Sequence, residues 1–183
     1  RGIGHKRFKQ TEIGEIPVEW EVKKLGDVLT KMSFPVDVDP KTSYQEIGVR
    51  SHCKGIFHKP QILGAKLGAK RVFRVVPDCL VINIVFGWEQ AVALTSKSED
   101  GYIASHRFPM FAEKEKSVFL PFLILLFNVD LGHRILQDAS PGGAGRNRTL
   151  NQNVFLAGSI PLPPLAEQKK IAEILSGVDA VIR

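Results

Sequence analysis

Three prolines within five residues, Pro161, Pro163 and Pro164, stand directly before a helical repeat in the segment IPLPPLAEQKKIAEILSGVDAVIR, Ile160 to Arg183. Each proline fixes φ near about −65° and removes a backbone donor. Ile160–Pro164 is therefore extended, cannot occupy the centre of a sheet, and delays any helix to Leu165. Beyond it, Ile171, Ile174, Leu175, Val178, Val181 and Ile182 recur at three- and four-residue spacing and form one apolar stripe. Glu167, Gln168, Lys169, Lys170, Glu173 and Asp179 fall on the polar face. At about 1.5 Å per residue the helix is about 27 Å long, a length that is marginal for an isolated helix in water. Its stripe needs a partner, either its own domain or another helix.

The rest of the chain has to supply the body from which this helix leaves. With 183 residues, one domain with a sizeable core plus an extension is the expected plan. An apolar content of 44% and a mean hydropathy near zero exclude a wholly disordered chain. The longest apolar runs, Leu80–Gly87 and Val118–Val129, are too short to span a bilayer and contain Asn83 and Pro121. The basic leader RGIGHKRFKQ has no apolar run after it, so it does not read as a signal peptide. Cys53 and Cys79 lie apart without metal-ligand spacing and read as free thiols in a reducing cytoplasm.

Arg1–Gln10 reads as a flexible leader. Glu19–Val22 predicts a short strand, Lys24–Leu29 a helical turn and Tyr44–Val49 a strand. Leu80–Phe86 is nearly continuously apolar, broken only by Asn83, and predicts a strand buried on both faces, with Gln90–Thr95 pairing to it across Gly87-Trp88-Glu89. Gly101–Phe111 predicts one further strand, and Val118–Gln137 one long core helix with Pro121 in its first turn. The fold class is mixed α/β (α+β): one domain over 11–164 with a small mixed or antiparallel sheet and a core helix, followed by a helix from 165 to 183.

Charge points to a polyanion. The net charge is only +6, but Arg50–Arg74 carries Arg50, Lys54, Lys59, Lys66, Lys70, Arg71 and Arg74, with His52 and His58, and no acidic residue. Such a stretch suits phosphate contacts, which position a protein on a duplex without reading sequence. The loop SPGGAGRNRT, Ser140–Thr149, offers guanidiniums at Arg146 and Arg148 for a guanine edge and the Asn147 amide for an adenine edge. No Gly-Lys-Ser/Thr follows it, so it is not a P-loop. His106 and Arg107, after a predicted strand, are further candidate base readers.

The two boundary segments carry a resemblance. IPLPPLAEQKKIAEIL resembles the junction in specificity subunits of type I restriction-modification enzymes where a target recognition domain passes into a conserved helix, and TEIGEIPVEWEVKKLGDVL, Thr11–Leu29, resembles the start of such a domain. LNQNVFLAGSIPLPP, Leu150–Pro164, fits as well, and Asp78–Phe111 agrees in pattern. The resemblance implies one of two recognition domains, each reading half of a bipartite double-stranded DNA sequence. Ile171, Ile174, Leu175, Val178 and Ile182 would then face a coiled-coil spacer formed with a second recognition domain in the same chain or a second copy. It further implies that catalysis belongs to partner modification and restriction subunits using S-adenosylmethionine, Mg²⁺ and ATP, so that this chain carries no cofactor, metal or catalytic residue and works in a prokaryotic cytoplasm.

Other readings stay open on the sequence. The chain could be a protein-interaction module docking on a methyltransferase subunit, or belong to a related type II-like restriction system. A Mg²⁺-dependent nuclease would need Asp78 and a carboxylate of Glu113-Lys114-Glu115-Lys116 to converge, a separation wider than one hairpin provides.

Overall fold

A computed structural model describes residues 4–142 and 148–182, with side chains of the final helix described through Ser176. The chain opens with a hairpin of β1 (Phe8–Thr11) and β2 (Gly14–Pro17), then β3 (Glu21–Lys24), the single turn α1 (Leu25–Val28), β4 (Leu29–Met32) and β5 (Pro35–Val36). A long hairpin, β6 (Ser43–Val49) and β7 (Ile56–Leu63), leads into β8 (Val72–Arg74), β9 (Leu80–Ile82), β10 (Val92–Leu94), β11 (Ile103–Ser105) and β12 (Met110–Glu113). Three helices follow, α2 (Leu120–Phe127), α3 (Asp130–Asp138) and α4 (Gln152–Ala157), and the chain ends with β13 (Ser159–Leu162) and α5 (Leu165–Ile182).

Two sheets make the body. One is antiparallel in the order β10-β9-β12-β4, and the other is mixed in the order β5-β8-β11-β6-β7, with β11 parallel to β6. Of the strand expected over Leu80–Phe86, only Leu80–Ile82 forms, the chain turning away at Asn83, and the double burial of those three residues has a direct structural cause. Leu80 and Ile82 enter a core shared with α2, α3 and α4, while Val81 enters a second core with Ile47, Val75, Ala93, Ala104 and Met110 between the sheets. Phe111 and Phe127 pack on Phe155 of α4 with ring centroids 5.7 and 5.8 Å apart, so the helical layer is fastened to the first sheet by aromatic contacts.

Four further expectations change. The expected single helix over Val118–Gln137 is two helices: Asn128 closes α2, and Val129 is extended at φ −104°, ψ 165° before α3. Gly132 makes the fold-back possible, because a Cβ there would lie 2.1 Å from the Leu126 carbonyl oxygen. The expected strand Gly101–Phe111 is two strands in different sheets, broken where the Phe108 N–H donates to the Ser105 carbonyl over 3.0 Å. β7 runs through a stretch given no strand by its sequence, and its Pro60 is tolerated because β7 is an edge strand. The leader over residues 1–10 is also not featureless, since Phe8–Thr11 pairs with Gly14–Pro17.

The junction at Ile160–Pro164 forms as its prolines require. β13 pairs with β3 alone, Pro161 opposite Val22, and α5 begins at Leu165. No described helix is long and apolar enough to cross a membrane.

Candidate nucleic-acid interface

The breaks in the predicted strands build a cleft between the two sheets. Where β9 ends, Asn83 folds the chain back, its Oδ1 accepting from the Val85 N–H over 3.2 Å. The turn after β11 places the His106 N–H on the Arg71 carbonyl at 3.2 Å and the Arg107 carbonyl on the Ile84 N–H at 3.0 Å. On the other side of this turn the Leu150 N–H donates to the Ile84 carbonyl over 2.8 Å, which anchors the segment leaving the glycine-rich loop. Gly87 admits that segment, because a Cβ there would meet Leu150 Cδ1 at 2.8 Å.

These connections gather Lys31, Arg71, Phe73, Ile84, His106, Phe108 and Gln152 around one cleft of about 290 Å³. Arg71, His106 and Arg107 are exposed, and the half-buried Arg148 stacks its guanidinium 5.3 Å above the Trp88 ring. Trp88 is fixed in turn by its indole N–H donating to the Val85 carbonyl over 3.2 Å. Of the predicted contacts, Arg71, expected at phosphates, and His106, expected at bases, line the cleft, while of the other expected base readers Arg107 is joined to it through Ile84 and Arg148 lies beside it on Trp88. Arg146 and Asn147 lie outside the described residues.

The remaining basic candidates behave differently. The run without acids is not a surface without acids, since its partners come from elsewhere in the chain. Lys59 and Lys70 place their ammonium groups 3.8 and 3.7 Å from the buried Glu46 carboxylate, and His58 Nε2 donates to Glu99 over 2.7 Å. Burial alone would raise the Glu99 pKa, yet donors on Ser98, His58 and Ser96 outweigh it and hold the carboxyl down to about 2. Lys54, Lys66 and Arg74 are exposed and have no ion pair among the described residues. The structure therefore separates the cleft group from a group on and around the β6–β7 edge that is partly neutralised.

Sequence reasoning missed Lys31 and Gln152. Lys31 is an isolated lysine in a short strand, and Gln152 follows the helix-capping Asn151, whose Oδ1 accepts the Asn153 N–H over 2.9 Å. Neither carries a local signal of a cleft formed by residues more than thirty positions away.

The final helix corrects the assignment of its faces. Gln168, placed on the polar face by spacing, is completely buried: its Oε1 accepts from the Phe119 N–H at 2.7 Å and its Nε2 donates to the Pro163 carbonyl at 2.8 Å. Ile171 touches the helical core, whereas Ile174 and Leu175 are 55% and 45% exposed. The side chains of Val178 and Ile182 lie outside those described. At the same root, His5 places its two ring nitrogens 3.2 Å from Glu19 and 2.7 Å from Glu167, and the Trp20 indole N–H donates to Glu167 over 3.1 Å.

Asp78 and Glu113, the carboxylates considered for a nuclease, line one cleft with Leu94, Phe119 and Pro121. Among the described residues no group of three or more His, Cys, Asp or Glu is placed to hold a metal ion. Burial pushes the free thiols of Cys53 and Cys79 up to about 11, so both are protonated at neutral pH.

A two-sheet domain with basic side chains converging on an open cleft, and a final helix with Ile174 and Leu175 exposed, has the build of a polyanion-binding module. The chain belongs to the family described as type I restriction modification DNA specificity domain, whose sequence profile matches residues 83–183. It is 25% identical over 183 residues to the type I restriction enzyme MjaIX specificity subunit of Methanocaldococcus jannaschii, covering 96% of this chain and 41% of that protein. It is 26% identical to the MjaVIII specificity subunit of the same organism, covering 97% of this chain and 40% of that protein. The crystal structure of the HsdS subunit from Thermoanaerobacter tengcongensis shares the fold, with a TM-score of 0.75 at 22% identity over 92% of this chain and 44% of that one. The chain thus spans about two fifths of the length of these relatives.

Proposed function

We propose that this chain is a DNA target recognition domain of a type I specificity subunit, working in a prokaryotic cytoplasm and reading one half of a bipartite duplex sequence. It contributes no catalysis; methylation and cleavage belong to modification and restriction subunits that use S-adenosylmethionine, Mg²⁺ and ATP. The observation that carries the reading is the gathering of Arg71 and His106 in one cleft, with Arg107 and Arg148 adjoining it, in a member of a DNA specificity family. These side chains, with Arg146 and Asn147, which lie outside the described residues, are assigned to base edges and the phosphates beside them. Lys54, His58, Lys59, Lys66, Lys70 and Arg74 are assigned to backbone phosphates farther along the duplex.

Fluorescence anisotropy against a pool of random-sequence duplexes tests this. Binding should weaken steeply with salt, and replacing Lys66 should lower the log–log slope by about 1 while weakening all sequences alike. Arg148→Ala should instead compress the difference between the best and worst sequences. Absence of binding to any duplex at low salt refutes the reading.

A second role rests on Ile174 and Leu175, whose exposure favours α5 as one strand of a spacer shared with a second recognition domain or a second copy. Light scattering of the chain alone and mixed with a second recognition domain tests it: a complex that is lost in Ile174→Asp supports the spacer, and one retained in that variant refutes it.

A further inference from the structure

Trp88 sits on the short turn Gly87–Glu89, which is held from several sides at once. From the β6–β7 hairpin, Ser51 Oγ donates to Glu89 Oε2 over 2.9 Å, the His52 N–H to the Glu89 carbonyl over 2.8 Å and the Cys53 N–H to the Gln90 carbonyl over 2.9 Å. From α3, His133 donates through Nε2 to the Trp88 carbonyl over 3.0 Å. The buried Gln90 amide donates to the Phe127 carbonyl at the end of α2 over 2.7 Å, and the indole N–H is fixed on Val85. His52, Cys53 and Gln90 lie in the left-handed region at φ 58°, 52° and 57°. Non-glycine residues keep that conformation only where the surroundings hold it, and such residues cluster at functional sites. The restraint makes the Trp88 ring a rigid surface, and what rests on it is the Arg148 guanidinium, 5.3 Å from the ring centroid.

Arg148 is held at its backbone as well. Two residues on, the Leu150 N–H donates to the Ile84 carbonyl over 2.8 Å, so the side chain runs from an anchored backbone to an anchored ring. The guanidinium is half-buried and has no carboxylate within ion-pair distance among the described residues, so the ring face is the group that offsets its charge. We propose that Trp88 is a positioning residue for base readout: its ring holds the Arg148 guanidinium ready to donate to the N7 and O6 atoms of a guanine in the major groove. A phosphate contact needs only a nearby positive charge and no rigid support. A guanidinium fixed before binding loses less freedom when it forms two parallel hydrogen bonds, and there an aromatic platform adds to specificity. The guanidinium can only donate, and guanine alone presents two acceptors side by side in the major groove. Adenine sets a donor beside its acceptor, cytosine offers a donor, and thymine has one acceptor next to a methyl group. The role rests on the DNA-binding reading above and adds to it the residue through which Arg148 becomes selective.

The test is the base preference, position by position, of duplexes selected from a random-sequence pool by the chain and its variants. The parent should favour guanine about tenfold or more at one position, the order expected of a bidentate contact. Arg148→Lys, which keeps the charge and loses the fork, should reduce that preference far more than any other. Trp88→Leu should reduce the same preference about fivefold, the order of a cation–π contact, and Trp88→Phe, which restores an aromatic face, should recover most of it. A guanine preference that survives Trp88→Leu overturns the proposal. So does a loss spread evenly over all positions, as a merely structural tryptophan would give, and so does an even weakening of all sequences by Arg148→Lys, the mark of a phosphate contact. Should the leucine variant not fold, proton NMR of the parent decides: δ protons of Arg148 held over an indole are shifted upfield by its ring current, and random-coil positions overturn the proposal. If duplex is bound with the expected salt slope while the platform fails these tests, the DNA reading stands alone; if no duplex is bound, both fall.

Discussion

Replacing Gln168 by leucine should destabilise the chain far more than its place on an amphipathic helix suggests. The side chain fits the apolar surroundings in size, so the loss comes from the groups it leaves behind. The Phe119 N–H, bonded at 2.7 Å, and the Pro163 carbonyl, bonded at 2.8 Å, lose their partner while remaining inside or partly inside the protein. The third contact, Nε2 to the Ser117 carbonyl at 3.4 Å, is long and adds little. A stranded buried donor or acceptor costs about 1–3 kcal/mol, and partial water access at Phe119 reduces its share, giving a total of about 3 kcal/mol. For a chain of this size that lowers Tm by roughly 6–12 °C. Urea unfolding followed by circular dichroism measures the loss directly, and an unchanged m value assigns it to the native contacts. Lys169→Leu, one residue along and exposed, serves as the control and should stay within about 0.5 kcal/mol of the parent. A loss for Gln168→Leu below about 1 kcal/mol would refute the claim that this amide fastens α5 to the domain.

Both ring nitrogens of His5 face carboxylates, which can only accept, so the fully bonded species is the imidazolium. Its hydrogen bond to Glu167 raises the pKa above the ordinary 6.5 against the opposing effect of burial, so the folded chain holds the proton more tightly than the unfolded one. This stability is complete below about pH 6.5 and is lost as pH rises through the raised value; a melting series across that window should slope downward, and His5→Gln should flatten it. Glu99 works in the opposite direction: its stability is present above its ordinary 4.5 and disappears as pH falls toward about 2, so Glu99→Gln should be less stable at neutral pH and lose less on acidification. Gly132→Ala should cost about 3 kcal/mol in urea unfolding, since the new methyl would sit 2.1 Å from the Leu126 carbonyl oxygen and α3 must move off α2 to admit it. An alanine variant as stable as the parent would show that the two helices are not in close contact there.

Part of the basic cleft was legible one residue at a time. Arg71, His106, Arg107 and Arg148 were named from charge and position beside turns, and the structure sets the first two in one cleft and the others against it. What the sequence overstated was the basic run. Lys59, Lys70 and His58 have no acid near them in the chain, yet Glu46 and Glu99 reach them across the sheet and against the sheet edge. What it understated was Gln152, whose surroundings in the cleft are made by residues from four other segments.

The sequence by itself determined the extended stretch at Ile160–Pro164, the start of α5 at Leu165 and the double burial at the start of the expected strand Leu80–Phe86, which holds for Leu80–Ile82 and ends at Asn83. Proline geometry and an unbroken apolar run act within a few residues and need no distant partner. Tertiary structure alone decided that Asn128 and Val129 break a helix whose apolar residues run through them, because only a fold-back brings Gly132 against Leu126. It also decided which face of α5 is inside. Spacing put Gln168 in water, but Pro163 and Phe119 offer a carbonyl and an N–H that only an amide can satisfy together, and this outweighs the cost of burying it. Hydrogen bonds and ion pairs take whatever partners the fold brings near, so their pairing is a property of the folded chain.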